Sequence, residues 1–457
     1  MNNKEKAFAY VDEHIDEFIA ELGSACAIPS TAGNASAREL MRERLAYDLA
    51  ALGAMPEYHS VEGGNALISA RLSGGKDSTL LFYNHYDVVE PGDSEKWTNG
   101  APFHADVRDG VIYARGVSDN KGGLYCRLHA VRAVLAAAGE LPVSVKFLFE
   151  GDEEIGSPSM ERFASRNKDE FFHMIDAAVC LWENGRIDNN GHPWLRCGVR
   201  ASVAFDLSVT TSSTDVHGRM GTTVPSASWR LVWALACLKD PVTERVLLPG
   251  FYDRVLPVTD LDREVLKAFP FDEAHLKEKL KLDHFMRYAT GQKLKEQMYM
   301  EPAMSICGLE AGEMYKGKRG IVPHTASARV SFYMAAEQDP DEIAVQLRQR
   351  LDNCGFEDVK IERRGGRKRS IRTPVDHLFA ECARRTAVEA FDHSLVIELT
   401  QLGGGPASIL RDVKPDLPIF GLGPANTDAN HHAPDENMKI EDYKKAIKHL
   451  IAIMYSY

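Results

Sequence analysis

Histidines and acidic residues lie directly after several short apolar runs of this chain. His85 and Asp87 follow one such run, and Glu153 and Glu154 follow another. Imidazole nitrogens and carboxylate oxygens hold divalent metal ions in catalytic sites, where a further position stays open for water. These residue types in these places therefore indicate a metal centre that activates water.

Other segments of the chain offer further candidate ligands. Asp119 precedes an apolar helical pattern, Glu183 ends a third apolar run, and His431-His432 lies before the last helical pattern. Each alone has a simpler interpretation, since a surface His near an Asp is common and Asp119 could cap a helix. Four such clusters in one chain favour a shared metal site, which one of the two adjacent histidines should reach.

The spacing within two of these clusters predicts separate tasks for neighbouring side chains. Glu153 and Glu154 are consecutive at the end of a strand pattern, so their side chains project differently. One can bind metal while the other takes a proton from the attacking water. His85 and Asp87 are two apart on an extended chain and share a side, so Asp87 could orient the imidazole.

The elements that must position these residues alternate between strand and helix patterns. Predicted strands at 79–83, 143–149 and 177–182 all end at candidate ligands, and a predicted helix at 122–138 lies between the first two. In open α/β sheets, ligands bind beyond the carboxyl ends of the strands. We therefore predict an α/β catalytic domain with a central, mostly parallel sheet flanked by helices.

The middle of the chain has a different pattern. It contains strand patterns in which apolar and polar residues alternate, and a charged helical stretch at 262–283. This pattern ends before the α/β pattern resumes towards the carboxyl terminus. We predict that an α+β block at 199–371 is inserted into a discontinuous catalytic domain formed by 1–198 and 372–457. The basic run at 363–369 is more typical of a solvated linker or hairpin than of a binding patch.

Composition limits the classes of function. The 457 residues carry a formal net charge of −12, which works against nucleic-acid binding. No apolar run approaches the length of a membrane span, and the amino terminus has no secretory core. The eight cysteines form no C-x-x-C pair. We predict a cytoplasmic protein with reduced cysteines that binds neither nucleic acid nor a membrane.

Four motifs along the chain resemble those of a known family of dinuclear zinc peptidases and deacylases. The family includes carnosinase-type dipeptidases, acetylornithine deacetylase, succinyl-diaminopimelate desuccinylase and bacterial carboxypeptidase G. The resemblance covers essentially the whole chain. The motifs are Asn84-His85-Tyr86-Asp87-Val88-Val89, Gly116 to Gly123, Glu150-Gly151-Asp152-Glu153-Glu154-Ile155-Gly156-Ser157, and His432-Ala433-Pro434-Asp435-Glu436.

The resemblance implies a set of metal ligands. His85 and Glu183 would bind one divalent ion, Glu154 and His432 would bind the other, and Asp119 would bridge them. The resemblance also implies two zinc ions per chain. Manganese or cobalt stays an alternative, because sites of histidine and carboxylate accept all three metals.

The resemblance also implies the catalytic groups. Glu153 would be the general base and Asp87 the residue that orients His85. His217, in the inserted block, would donate to the developing oxyanion. In the family this block serves as a lid and dimerisation domain, and the matching histidine often comes from the partner subunit of a homodimer.

Two positions depart from the family pattern. Gly218 follows His217 directly, where the family usually has a serine between the histidine and the glycine. Tyr333 stands where many relatives have an arginine that binds the substrate carboxylate. Lys318 and Arg319 are candidates for a replacement cation, although a solvated loop is the favoured interpretation of this segment.

Three functions remain open from the sequence. The leading prediction is a dipeptidase that cleaves small peptides, which the long inserted block favours. Glu183 favours an N-acyl amino acid deacylase instead, because the dipeptidases usually have aspartate there. An inactive binding protein that keeps the fold is disfavoured, since Glu153 and every expected metal ligand are present.

Overall fold

A computed structural model describes residues 1–183, 185–312, 320–366 and 368–457. The described chain divides into two compact units. The first contains Met1–Gly198, Thr373–Glu398 and Pro406–Tyr457, and the second contains Val199–Arg372 and Leu399–Gly405. The short stretch Leu399–Gly405 thus groups with the middle block, whereas we assign it to the catalytic domain from sequence. The lid and dimerisation roles of the middle block stay predictions.

The helices of the described residues begin and end as follows. They are α1 (Asn3–Cys26), α2 (Ala35–Ala51), α3 (Lys121–Ala138), α4 (Pro158–Arg166), α5 (Lys168–Ile175), α6 (Ala227–Ala236), α7 (Asp260–Ala268), α8 (Glu273–Lys279), α9 (Gly291–Met300), α10 (Pro340–Asn353), α11 (Leu378–Phe391), α12 (Ser408–Val413) and α13 (Ile440–Ser456). None of them combines the length and the apolar composition that crossing a bilayer requires.

The strands of the described residues are mostly short. They are β1 (Glu57–His59), β2 (Leu67–Leu72), β3 (Gly74–His85), β4 (Asp106–Arg108), β5 (Val111–Tyr113), β6 (Leu141–Glu150), β7 (Val179–Trp182), β8 (Arg186–Ile187), β9 (Pro193–Arg196), β10 (Gly198–Arg200), β11 (Ser202–Thr210), β12 (Val216–His217), β13 (Ala303–Ala311), β14 (Ile321–Val322), β15 (Thr325–Tyr333), β16 (Lys360–Arg363), β17 (Ile371–Arg372), β18 (Val396–Glu398), β19 (Gln401–Gly404), β20 (Ile419–Gly421) and β21 (Asn437–Lys439).

The first unit is built around a nine-stranded sheet. Its strands follow the order β1-β2-β6-β3-β7-β20-β9-β18, and β8 pairs with β9. The centre of the sheet is parallel, because β3 runs parallel to β6 and β7, and β20 runs parallel to β7. The β1-β2 edge is antiparallel. The predicted α/β class with a central, mostly parallel sheet is confirmed.

The central strands are buried on both faces. Leu80, Leu81, Phe82 and Tyr83 of β3 are consecutive and have no exposed surface. Such an unbroken apolar run is typical of a parallel strand covered on both sides. On the helical side, α3 packs against β3 and also against α1 and α13. The carboxyl end of β3 is therefore held rigidly where the candidate ligands begin.

The second unit is built around a four-stranded antiparallel sheet in the order β13-β15-β11-β16. Alternate residues of β11, including Val203, Phe205 and Leu207, face one apolar core. Helix α6 adds Leu231 and Ala234 to the same core. The alternation predicted from sequence is what a sheet with one covered face requires.

The helical insert of the second unit differs from its prediction. The charged stretch at 262–283 forms two helices, α7 and α8, and a further helix, α9, follows it. Pro270 stands between α7 and α8, and a proline cannot continue a helix because its ring lacks the N–H and clashes with the preceding turn.

Candidate metal centre

Three neighbouring strands end at the same edge of the sheet and carry most of the candidate ligands. His85 is the last residue of β3, and Glu183 follows β7 directly. Glu153 and Glu154 begin a short 3-10 helix just after β6. Because β6, β3 and β7 are adjacent and parallel, their carboxyl ends meet. The fold therefore brings distant parts of the chain to one place.

Asp119 lies between the two histidines of this cluster. The Nε2 atom of His85 is 3.2 Å from Oδ1 of Asp119 and 3.5 Å from Oε2 of Glu183. The Nε2 atom of His432 is 3.3 Å from Oδ2 of Asp119 and 3.2 Å from Oε2 of Glu154. Each carboxylate oxygen of Asp119 thus faces a different histidine, which is the arrangement that a bridging ligand needs.

Glu153 lies at the margin of the cluster. Its Oε2 atom is 3.9 Å from Nε2 of His85, further than the nearest oxygens of Asp119 and Glu183. Its side chain keeps 15% of its surface exposed, so solvent can reach it. The geometry suits a residue that handles protons beside a metal centre.

The charges of the cluster are poorly compensated. Burial raises the pKa of Glu183 well above its ordinary value, and burial also raises the pKa of Glu153 to about 7. Asp119 and Glu154, as hydrogen-bond partners, raise the pKa of His432 to about 10. Carboxylates that resist ionisation and a histidine that keeps its proton both indicate missing positive charge.

Two carboxylate oxygens of the cluster are buried without a hydrogen bond. They are Oε1 of Glu154 and Oε2 of Glu183, which have no hydrogen-bond partner among the described residues. Buried polar atoms are normally satisfied, so such exceptions mark a place for a missing ion or ligand. Ligand atoms of His85, Asp119 and Glu154, and likewise of His85, Glu153 and Glu183, lie within 4.8 Å of one another. The residues present fit divalent metal ions.

Asp87 contacts the cluster mainly by hydrogen bonds to the backbone of Glu153 and Glu154. Its carboxylate accepts hydrogen bonds from the N–H groups of Glu153 and Glu154, at 3.2 and 3.0 Å. The Nδ1 atom of His85 lies 3.1 Å from the Asp87 carbonyl oxygen and 3.5 Å from its carboxylate. Asp87 therefore contacts both the imidazole and the segment that carries the two glutamates.

Glu436 holds the segment that presents Asp119, a role that the sequence interpretation missed. Its fully buried carboxylate accepts hydrogen bonds from the backbone N–H groups of Gly116, Ser118 and Asp119, at 2.8 to 2.9 Å. Arg115 donates to it from Nη1 at 2.6 Å. Glu436 belongs to the fourth motif, so its place in that motif was the available signal.

Arg127 is a second positioning residue that the sequence interpretation missed. It is buried in α3 and donates to the carbonyl oxygens of Trp182 and Glu183, at 2.7 and 3.0 Å, and to Oδ1 of Asn84 at 2.5 Å. It thereby ties the ends of β3 and β7 together. A lone arginine in an otherwise apolar helix pattern was a visible signal, because buried charges need specific partners.

The remaining predicted residues lie elsewhere. Nε2 of His431 is 2.8 Å from the Ser118 hydroxyl, so it contacts the Asp119 segment rather than the candidate ligands. His217 ends β12 in the second unit, is exposed, and accepts a hydrogen bond at Nδ1 from the Arg219 N–H. Tyr333 ends β15. Lys318 and Arg319 lie outside the described residues.

Comparison with known proteins places this chain among metallopeptidases. The model of "Peptidase family M20/M25/M40" matches residues 81–456. The Beta-Ala-His dipeptidase of Rattus norvegicus is 29% identical, over 76% of this chain and 73% of the relative. A Cys-Gly metallodipeptidase of Schizosaccharomyces pombe is 26% identical, over 74% of this chain and 73% of the relative.

Solved structures agree with this result. The crystal structure of an M20 family metallo-carboxypeptidase from Sulfolobus solfataricus superposes with a TM-score of 0.81 at 30% identity, and the match covers 96% of this chain and 99% of that one. The resemblance inferred from the four motifs is thereby confirmed. By its sequence match, its fold and its cluster of candidate ligands, the chain belongs to the peptidase family M20/M25/M40, whose members are metal-dependent peptide hydrolases.

Proposed function

We propose that this protein is a metallodipeptidase that hydrolyses the amide bond of small peptides. The observation that carries the proposal is the cluster at the carboxyl ends of β6, β3 and β7, with Glu153 beside five candidate ligands. The dipeptidase names of the relatives support the choice of substrate.

The metal ligands follow from the pairs of contacts. We assign His85 and Glu183 to one divalent ion, Glu154 and His432 to the other, and Asp119 to both. When bound, such ions lower the pKa of the attacking water and polarise the amide carbonyl. The ligands lie at strand ends or on segments held by hydrogen bonds to Asp87 and Glu436. The side chains therefore need little rearrangement before a metal ion binds.

Glu153 moves the protons of the reaction. It accepts a proton from the attacking water, and it then returns a proton to the amide nitrogen as the carbon–nitrogen bond breaks. Its backbone N–H is held by Asp87, which fixes where its carboxylate can reach. The leaving group departs as a neutral amine.

The substrate class is tested with a panel. β-Ala-His, Cys-Gly, a tripeptide and N-acetyl amino acids are incubated with the protein loaded separately with zinc, manganese or cobalt. The longer peptide is included because the similar solved structure is that of a carboxypeptidase. We expect the dipeptides to be cleaved fastest. Cleavage of N-acetyl amino acids without cleavage of any dipeptide would establish the deacylase alternative, which Glu183 favours.

We further propose that the protein is a homodimer formed through the second unit. Strand β13 is an edge strand, and Ile306 and Leu309 on it are about half exposed. On α6, Trp229 and Trp233 stack with centroids 5.8 Å apart and are 59% and 55% exposed. Open strand edges and exposed aromatic patches are typical of interfaces. Sedimentation of wild-type and Trp233→Glu protein tests this, and a monomeric wild type would contradict it.

His217 is proposed as the donor to the developing oxyanion from this second unit. Removal of one such donor typically costs about a hundred- to a thousandfold in kcat, so His217→Ala should lose rate while it keeps its metals. If the donor acts across the dimer, mixed His217→Ala and Glu153→Ala chains should regain partial activity. If activity does not recover although subunit exchange is demonstrated, His217 acts at the site of its own subunit or has no catalytic role.

The cellular compartment proposed from sequence is the cytoplasm. All eight cysteines are free thiols, and five of them, Cys26, Cys126, Cys180, Cys197 and Cys382, are buried. Free thiols persist in reducing compartments, which supports this assignment. Fractionation of the native source would test it.

A further inference from the structure

The second unit contains a cavity that is separate from the candidate metal centre. It has a volume of about 380 Å³ and lies between the helical insert and the start of β13. Leu276, Leu280, Phe285, Met286 and Leu294 supply much of its apolar wall. Cavities of this size with an apolar wall and a few polar groups are typical of small-molecule sites.

Arg200 lines this cavity and is poorly compensated. Its exposed fraction is 8%, and its Nη2 atom donates to the backbone carbonyl of Glu301 at 2.9 Å. Its Nε atom is buried and has no hydrogen-bond partner among the described residues. Burial lowers the pKa of the guanidinium. Buried arginines are normally paired with a carboxylate, so the cavity holds an unbalanced positive charge.

The other charged side chains of the cavity balance one another. Lys239 pairs with Glu244, with Nζ and Oε2 2.5 Å apart, and Arg287 pairs with Glu301, with Nη2 and Oε2 2.5 Å apart. The Nε atom of Arg287 is also buried without a hydrogen-bond partner among the described residues. Two pairs and one unpaired arginine leave the cavity with net positive charge and free donors.

We propose that this cavity binds a small organic carboxylate with an apolar tail. The carboxylate would accept hydrogen bonds from Arg200, and the tail would pack against the leucines of the insert. A guanidinium is well suited to this task because its donors match both oxygens of a carboxylate. None of the residues involved belongs to the metal cluster, so binding does not depend on the proposed peptidase activity.

The probe is octanoate, with octylamine and octanol as charge controls. Equilibrium dialysis of radiolabelled compounds against the full-length, metal-loaded protein measures binding directly. We expect octanoate to bind, octanol to bind more weakly, and octylamine not to bind. Absence of octanoate binding, or equal binding of octanoate and octylamine, would overturn the proposal.

Variants locate the site. Arg200→Met removes the cation, and loss of a charged hydrogen bond should weaken octanoate binding about ten- to a hundredfold. Leu280→Asp keeps Arg200 intact and puts a negative charge at a position that is 54% exposed, so folding is spared. It should weaken octanoate more than octanol. Leu261→Asp, 46% exposed and not lining the cavity, is the matched control and should bind normally.

A carboxylate could instead bind at the metal centre, and one further variant separates the two sites. Glu154→Ala alters the metal cluster and leaves the cavity intact. We expect its octanoate binding to equal that of the wild type. If binding disappears in Glu154→Ala and persists in both Arg200→Met and Leu280→Asp, the carboxylate binds at the metal centre and the cavity has no such role.

Discussion

Two groups of buried carboxylates in the first unit differ in what surrounds them. Glu436 has no exposed surface, yet three backbone N–H groups and the Arg115 guanidinium satisfy it. Glu154 and Glu183 are largely buried as well, but each keeps an oxygen without a hydrogen bond among the described residues. Burial alone therefore does not mark a functional carboxylate. What separates the two groups is that both oxygens of Glu436 accept hydrogen bonds, whereas Glu154 and Glu183 each keep one oxygen that a cation could contact.

The difference predicts opposite responses to substitution. Glu436 stabilises the fold and positions Asp119, so its substitution should mainly lower the free energy of unfolding. The cluster carboxylates repel one another until cations neutralise them, so their loss should act on metal binding and turnover first. Substitutions in each group, with stability and metal binding measured separately, test this difference.

The largest effect is expected for Glu153→Gln in the cluster. Loss of a positioned general base typically costs about a hundred- to ten-thousandfold in rate. Folding and metal content should remain, because Glu153 is not proposed as a ligand. Steady-state kinetics and metal analysis measure both properties. Glu140→Gln, an exposed substitution beyond α3, is the control and should keep full activity. Wild-type kcat in Glu153→Gln would show that another group is the base.

Glu436→Ala should lower the free energy of unfolding by about 3–5 kcal/mol, because it leaves the Arg115 charge buried and unpaired. Urea denaturation of the metal-free chain measures this. An exposed ion pair contributes less than about 1 kcal/mol, so a loss below this value would contradict the buried ion pair between Arg115 and Glu436.

Glu183→Gln provides the opposite arm of the comparison. It replaces a buried carboxyl group, which resists ionisation and whose Oε2 has no hydrogen-bond partner among the described residues, with a neutral amide, so the metal-free chain should be at least as stable as the wild type. Metal affinity should fall instead. The same urea denaturation and a metal titration measure the two effects. A stability loss as large as that of Glu436→Ala would remove the distinction between the two groups.

The smallest effect concerns pH. Burial raises the pKa of Glu153 from 4.5 to about 7, and Asp119 and Glu154 raise that of His432 from 6.5 to about 10. In the metal-free chain, the stability linked to either proton is present below the lower value and lost as the pH rises through the higher one. The chelated chain should therefore melt at a higher temperature near pH ~6 than near pH ~8.

Metal should reverse this pH dependence. Ligands must lose their protons to bind metal, so added metal should raise the melting temperature more near pH ~8 than near pH ~6. Differential scanning calorimetry with and without chelator measures both arms. A chelated chain that is more stable at the higher pH would contradict the charge imbalance described for the cluster.

The parts of the fold visible in the sequence are those set by local pattern. The run from Leu80 to Tyr83 predicts a buried strand because every residue is apolar, and the polar residues that follow lie where parallel strands end. Helix α9 and strand β13 were not predicted. Strand β13 is exposed along most of its length, so it lacks the alternation that identifies strands with one covered face.

The positioning residues were harder to predict than the candidate ligands. Glu436 contacts Arg115, 321 residues earlier in the chain, and Arg127 reaches the ends of two strands. Such contacts depend on the tertiary fold, which local spacing does not encode. Arg200 is a similar case, since its missing partner becomes visible only when the walls of the cavity are assembled.

The proposed two-metal site is tested most directly by the number of metal ions that activity requires. Metal-free protein, prepared with a chelator, is titrated with zinc. At each step, peptide hydrolysis is assayed, and the metal bound to a dialysed sample is measured by mass spectrometry. We predict that activity saturates only when two ions are bound per chain, and that Asp119→Ala, which removes the proposed bridge, retains neither full occupancy nor activity. Full activity with one tightly bound ion would contradict the two-metal account.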